Sequence, residues 1–117
     1  MATQVPATPA IPFTVVSDIP ACLEVVPKGT TSDANLLFAT VGLKTTQITA
    51  ACGCPSKWLL YRSVTSTQGI ETELASGSLF AGEPDGAAIE RRVVLLADRE
   101  HPPAQALTVH VGCAPAP

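Results

Sequence analysis

The chain has 117 residues, 46% of them apolar, 15% charged and 4% aromatic, with 7 basic against 10 acidic side chains and a formal net charge of -3. A chain of this length buries about two-thirds of its unfolded surface, enough for one modest core, and its apolar content and low net charge exclude intrinsic disorder. No basic stripe is present to neutralise a phosphate backbone, which excludes nucleic acid as a partner, and no apolar run approaches the roughly 18 residues of a membrane span.

Residues 1–12 space Pro6, Pro9 and Pro12 with Ala and Thr, a composition that favours extended, polyproline-like backbone. They are predicted to form a flexible arm ahead of a single domain over 13–117. The arm has neither a basic n-region nor an apolar h-region, so it is not a secretory leader. Two readings follow, a cytosolic protein whose thiols stay reduced or an exported one whose leader was removed, and Met1 followed by a small-residue, proline-punctuated stretch favours the second, a start placed on a mature exported chain.

From Phe13 onward the chain reads as short β-favouring runs over 13–17, 21–26, 35–43, 45–52, 57–65, 70–80, 89–97 and 106–113. Turn residues separate them: Pro27-Lys28-Gly29, Gly42, Gly53 with Pro55, Gln68-Gly69, the Gly82–Gly86 segment, and His101-Pro102-Pro103. This spacing predicts an all-β fold, an immunoglobulin-like antiparallel β-sandwich of seven or eight strands. Helices over 32–43 or 87–97 are disfavoured, because both runs are rich in β-branched residues and lack an end signal; only a short turn near Ser32-Asp33 is expected.

Strand alternation assigns faces, since successive side chains point to opposite sides. It groups Leu107, Val109, Val111 and Cys113 inward, against Thr108 and His110. In the run over 45–52 it aligns Ile48, Ala50 and Cys52, with Cys54 on the same side. Ile70, Thr72 and Leu74 oppose Glu71 and Glu73, with a change of phase expected at Gly77. The unbroken Val93-Val94-Leu95-Leu96 reads as a strand near the middle of a sheet. Trp58 and Tyr61 fall on opposite faces: Trp58 is expected in the core or on the cysteine sulfurs, while Tyr61 with Arg62 is the candidate partner contact at the surface.

The cysteines are Cys22, Cys52, Cys54 and Cys113. An even number in a small β-patterned chain reads as a two-bridge disulfide framework. The favoured arrangement joins Cys52 and Cys54 each to a separate partner, Cys22 or Cys113, tying the terminal strands to the Cys52-Gly53-Cys54-Pro55 element. A second pairs Cys22 with Cys113 and closes Cys52 onto Cys54 in a strained ring able to exchange with substrate thiols. A third assembles a thiolate metal site with His110 or His101 as a further ligand. The histidines argue against the last: His110 points away from Cys113 by alternation, and His101 precedes two prolines in a surface turn.

Other chemistry finds little support. Glu71 with Glu73, and Glu83 with Asp85, read as a solvated strand face and a polar hairpin. Ser76-Gly77-Ser78 lacks the following helix of a nucleophile elbow. Arg91 and Arg92 are expected to pair with Glu71 or Glu73 across strands. The five aromatics, Phe13, Phe38, Trp58, Tyr61 and Phe80, are few for a stacking platform. No catalytic residue, cofactor or metal is implied.

An early Ala21-Cys22-Leu23-Glu24-Val25 strand, a central Cys52-Gly53-Cys54 followed by an aromatic run, Gly77-Ser78-Leu79, and a terminal Val109-His110-Val111-Gly112-Cys113-Ala114 together resemble a family of small exported bacterial proteins of unknown function. The resemblance covers most of the chain after residue 20, with the four cysteines as its signature. It implies an immunoglobulin-like sandwich in the periplasm or at the cell surface and brings no catalytic residues. The expected function is a non-enzymatic protein-binding or structural module, periplasmic or secreted; the alternative is a thiol-disulfide or metal-handling protein using Cys52-Gly53-Cys54.

Overall fold

In the computed structural model, which describes residues 13–81, 90–98 and 107–115, the alternation read from the sequence resolves into seven strands. They are β1 (Phe13–Ser17), β2 (Leu23–Asp33), β3 (Leu36–Thr45), β4 (Trp58–Thr67), β5 (Ile70–Phe80), β6 (Glu90–Asp98) and β7 (Leu107–Cys113). One sheet has the order β1-β7-β4-β5 and the other β2-β3-β6. The fold is a β-sandwich with the four-plus-three division of an immunoglobulin constant-type domain, in a strand order of its own. Its hairpins are β2–β3 and β4–β5, and β1 runs parallel to β7 in an otherwise antiparallel arrangement. The proline arm, the Gly82–Gly86 turn and His101 lie outside the described residues.

The core forms where the two inner faces meet. Leu107, Val109 and Val111 of β7 pack beside Leu59 and Tyr61 of β4, against Ala39, Val41 and Leu43 of β3 and Val94 and Leu96 of β6. Each of these sets is spaced two apart, so burial follows directly from the pleat. The hairpin at Gln68-Gly69 puts both residues at positive φ, 53° and 80°, the mirror-image turn whose twist matches that of its strands.

Four expectations are corrected. The run over 45–52 is not a strand: after Thr45 the chain leaves β3 and makes a 3-10 turn over Thr49–Cys52, leaving Ile48 exposed. The Val93–Leu96 run lies on β6, at the edge of its sheet, and Val93 is 65% exposed. Within the run Val94 and Leu96 are buried, and because Leu96 is skipped in the register with β3, Ala97 turns inward as well. The phase change on β5 falls at Leu74, which the register with β4 skips, rather than at Gly77. Gly77 instead lies opposite Tyr61, where a β-carbon would stand 2.8 Å from the Tyr61 ring. Finally, β5 and β6 belong to different sheets, so Arg91 and Arg92 do not stand across a ladder from Glu71 or Glu73.

One core position works against stability. Ser63 is fully buried on the inner face of β4, and its hydroxyl has no hydrogen-bond partner; the Thr65 hydroxyl is likewise unpaired. A buried polar group without a partner carries its full desolvation cost. Ser63→Ala is therefore expected to raise stability by about 1 kcal/mol, read as a higher urea midpoint with an unchanged slope. A lowered midpoint would show that the hydroxyl is bonded.

Candidate functional site: the disulfide-closed end

The registers bring one set of strand ends together. Leu23 pairs with Thr45, Trp58 with Phe80, Leu59 with Cys113 and Ser17 with Val111. The end of β3, the 3-10 turn, the start of β4 and the ends of β5 and β7 therefore converge on the segment that carries the cysteines.

All four cysteines are bonded, Cys22 to Cys52 and Cys54 to Cys113, closing separations of 30 and 59 residues. This is the cross-paired arrangement. The ring between Cys52 and Cys54 is not formed, because the 3-10 turn and the bond across Gly53 send the two sulfurs to different partners. Gly53 ends the turn in the left-handed region at φ 85°, and its amide donates to the Ala50 carbonyl. Cys52 then reaches back to the segment before β2, whereas Cys54 reaches the last residue of β7.

Hydrogen bonds hold the surrounding loop. The Thr46 and Gln47 amides donate to the Cys22 carbonyl. The Thr46 hydroxyl donates to the Ala21 carbonyl, and the Thr49 hydroxyl to the Ser56 carbonyl at 2.9 Å. The next residue to be fixed is Trp58. Its amide donates to the Ser56 hydroxyl at 3.1 Å, and its carbonyl accepts from the Ala114 amide.

The Trp58 indole points outward, 50% exposed, and meets the 45%-exposed Phe80 ring edge-to-face with centroids 5.2 Å apart. Ile48 is also exposed at this end of the sandwich. Arg92 of β6 donates to the Phe80 carbonyl at 3.5 Å and to its neighbour's Arg91 carbonyl at 3.0 Å. A rigid, covalently closed end thus presents two aromatic rings to solvent, a combination typical of residues that anchor partner contacts.

Tyr61 and Trp58 exchange the places expected of them. They do lie on opposite faces, but Leu59 sets the phase of β4 by pointing into the core, so Tyr61 turns inward and is only 7% exposed. Its phenol oxygen accepts a hydrogen bond from the Leu95 amide of β6 at 3.2 Å, bridging the two sheets. Burial raises the Tyr61 pKa above 10.0, partly offset by that bond. Arg62 is half-buried on the outer face, between Ser76 and His110 in the ladder. Tyr61 is thus removed as a surface contact. Phe80 is the residue that reading from sequence passed over; its signal was the inward Leu79 beside it, which forces residue 80 outward.

His110 faces away from the core, as alternation requires, with Nδ1 3.7 Å from an Asp18 carboxylate oxygen. Among the described residues no group of three or more His, Cys, Asp or Glu side chains could hold a metal ion.

The family model described as "Uncharacterized protein conserved in bacteria (DUF2195)" matches residues 2–116. No curated protein and no solved structure matches the chain.

Proposed function

We propose, from the premise that the chain belongs to the DUF2195 family of uncharacterised bacterial proteins, that it is a non-enzymatic binding module working outside the cytoplasm. The observation that carries this reading is the exposed Trp58–Phe80 pair standing on a segment closed by both disulfides. Disulfides persist in oxidising compartments, which supports a periplasmic or secreted location. Among the described residues, no helix is long and apolar enough to cross a membrane. Aromatic anchors need a pre-ordered support to bind without a large ordering cost, and the two bridges supply one at this end.

Site-directed photo-cross-linking in the native bacterium tests the reading. A photoreactive residue in place of Phe80 is expected to give a discrete protein adduct, while the same group at Thr31, at the other end of the sandwich, gives none. Equal labelling at both positions, or none at residue 80, would contradict it.

A further inference from the structure

A β-sandwich has four sheet edges, and each carries main-chain groups that must be blocked or used. Here β1 is an edge of only 5 residues. The β2 edge is interrupted by Pro27, which has no amide hydrogen, and by a register shift between Pro27 and Gly29. The β6 edge, of 9 residues, has two of its groups occupied: the Leu95 amide donates to Tyr61, and the Arg91 carbonyl accepts from Arg92. That leaves β5, with 11 residues, paired to β4 on one side and to no strand on the other among the described residues.

The hairpin fixes which groups of β5 face outward. In a two-residue turn the flanking residues, Thr67 and Ile70, exchange both main-chain bonds, and alternation then directs the amides and carbonyls of Glu71 and Glu73 away from β4. Beyond the bulge at Leu74, the Ala81 amide donates to the Lys57 carbonyl, which by the same alternation turns Ser76, Ser78 and Phe80 outward. Arg92 caps the last of these, at the Phe80 carbonyl. Among the described residues an open edge therefore runs from Glu71 to Ser78 in two segments, Glu71–Glu73 and Ser76–Ser78, on either side of the bulge at Leu74.

We propose that this edge takes an extended peptide segment of a partner protein as an added strand, with basic side chains at alternate positions. The charge pattern selects that partner. Glu71 and Glu73 are exposed and share one face, so an added strand meets them with its alternate residues, where lysine or arginine is favoured and acidic residues are repelled. The intervening positions lie over Ile70, 69% exposed, and Thr72, and fit β-branched residues. Main-chain bonds supply affinity and these side chains the selectivity, as in other strand-addition complexes. The proposal rests on the binding-module reading but uses the main-chain edge of β5 from Glu71 to Ser78, which ends short of the Trp58–Phe80 ring pair.

The test titrates the intact, oxidised protein with a synthetic heptapeptide alternating lysine and valine, followed by two-dimensional amide NMR. Saturable shifts at Glu71, Glu73, Ser76 and Ser78 are expected. Glu71→Lys with Glu73→Lys should weaken binding about tenfold, and the peptide methylated on alternate amides should not bind. Ser76→Pro removes one outward donor and should also weaken binding; the surface charge reversal carries the test if that variant does not fold. Equal binding of a glutamate-valine peptide, or shifts confined to other surfaces, would overturn the proposal. So would concentration-dependent shifts on β5 without peptide, which would make a second copy the occupant. A peptide that fails here while cross-linking at residue 80 succeeds would remove this edge and leave the binding-module reading standing.

Discussion

Replacing Cys54 and Cys113 together by serine is expected to remove about 4 kcal/mol of stability. The bridge closes 59 residues, and in the chain-entropy account a loop of that size restricts the unfolded chain by about that amount. The Cys22–Cys52 bridge closes 30 residues and contributes about half a kcal/mol less on the same scale. Each is a large fraction of the roughly 5–15 kcal/mol that holds a domain together, so removing both should leave the chain largely unfolded at 37 °C. The core gives the reason for this dependence. It is built chiefly from Leu, Val and Ala, with Tyr61 its one buried aromatic, and the buried Ser63 hydroxyl is unpaired. Urea denaturation of the oxidised protein and of each serine pair checks the ordering. Equal stability of the variants and the parent would show that packing alone holds the sandwich.

Tyr61→Phe is expected to cost about 1–3 kcal/mol although it removes a single oxygen. The phenol satisfies the Leu95 amide at the point where β6 skips a residue in its register with β3. An unmet, partly buried amide carries a desolvation cost on top of the lost bond. The same residue gives a pH signature. Its folded-state pKa is raised by burial, while in the unfolded chain it ionises near 10. Above about pH 10 the unfolded state therefore binds fewer protons than the native state, so stability is held below that pH and lost as pH rises towards the folded-state pKa. The chain has a single tyrosine, so tyrosinate absorbance reports this group alone. Its midpoint should lie above 10 in the native protein and return to about 10 in denaturant. Tyr61→Phe should lack this component of alkaline destabilisation, and a native midpoint at or below 10 would contradict the burial.

The sandwich was legible because alternation is strict where strands are half-buried. The limits of β1 and β5 coincide with their runs, and β7 turns Leu107, Val109 and Val111 inward as read. Alternation was less informative where tertiary context sets the phase. In Trp58-Leu59-Leu60-Tyr61 it separates Trp58 from Tyr61 but does not say which is inside; Leu59 decides that by packing against β7 and the facing sheet. The run over 45–52 has a strand's alternation and a strand's composition. It becomes a 3-10 turn because the Cys22 carbonyl captures the Thr46 and Gln47 amides, and the two bridges then hold the loop. The cysteine pairing was thus reached through an extended backbone that does not exist there, and it survives because Gly53 turns the chain enough to part the two sulfurs.

The exposed site was the least legible part. Exposure of Trp58 and Phe80 depends on the phase of β4 and on the hairpin register, neither of which the aromatic residue types disclose. The open β5 edge depends on strand order, which sets sequence-distant β6 rather than β5 beside β3.

Two cross-paired bridges are expected to close this end of the molecule in the cell. Mass spectrometry of the protein from its native bacterium, acid-quenched, thiol-blocked and digested with trypsin without reduction, tests it most directly. Cleavage after Lys28, Lys44, Lys57 and Arg99 leaves Cys52 and Cys54 in one peptide. This peptide should link those of Cys22 and Cys113 in one three-chain species, with fragmentation at Gly53 assigning Cys22 to Cys52 and Cys113 to Cys54. A two-chain Cys22–Cys113 species beside an internally looped Cys52–Cys54 peptide, or blocked free thiols at these positions, would contradict it.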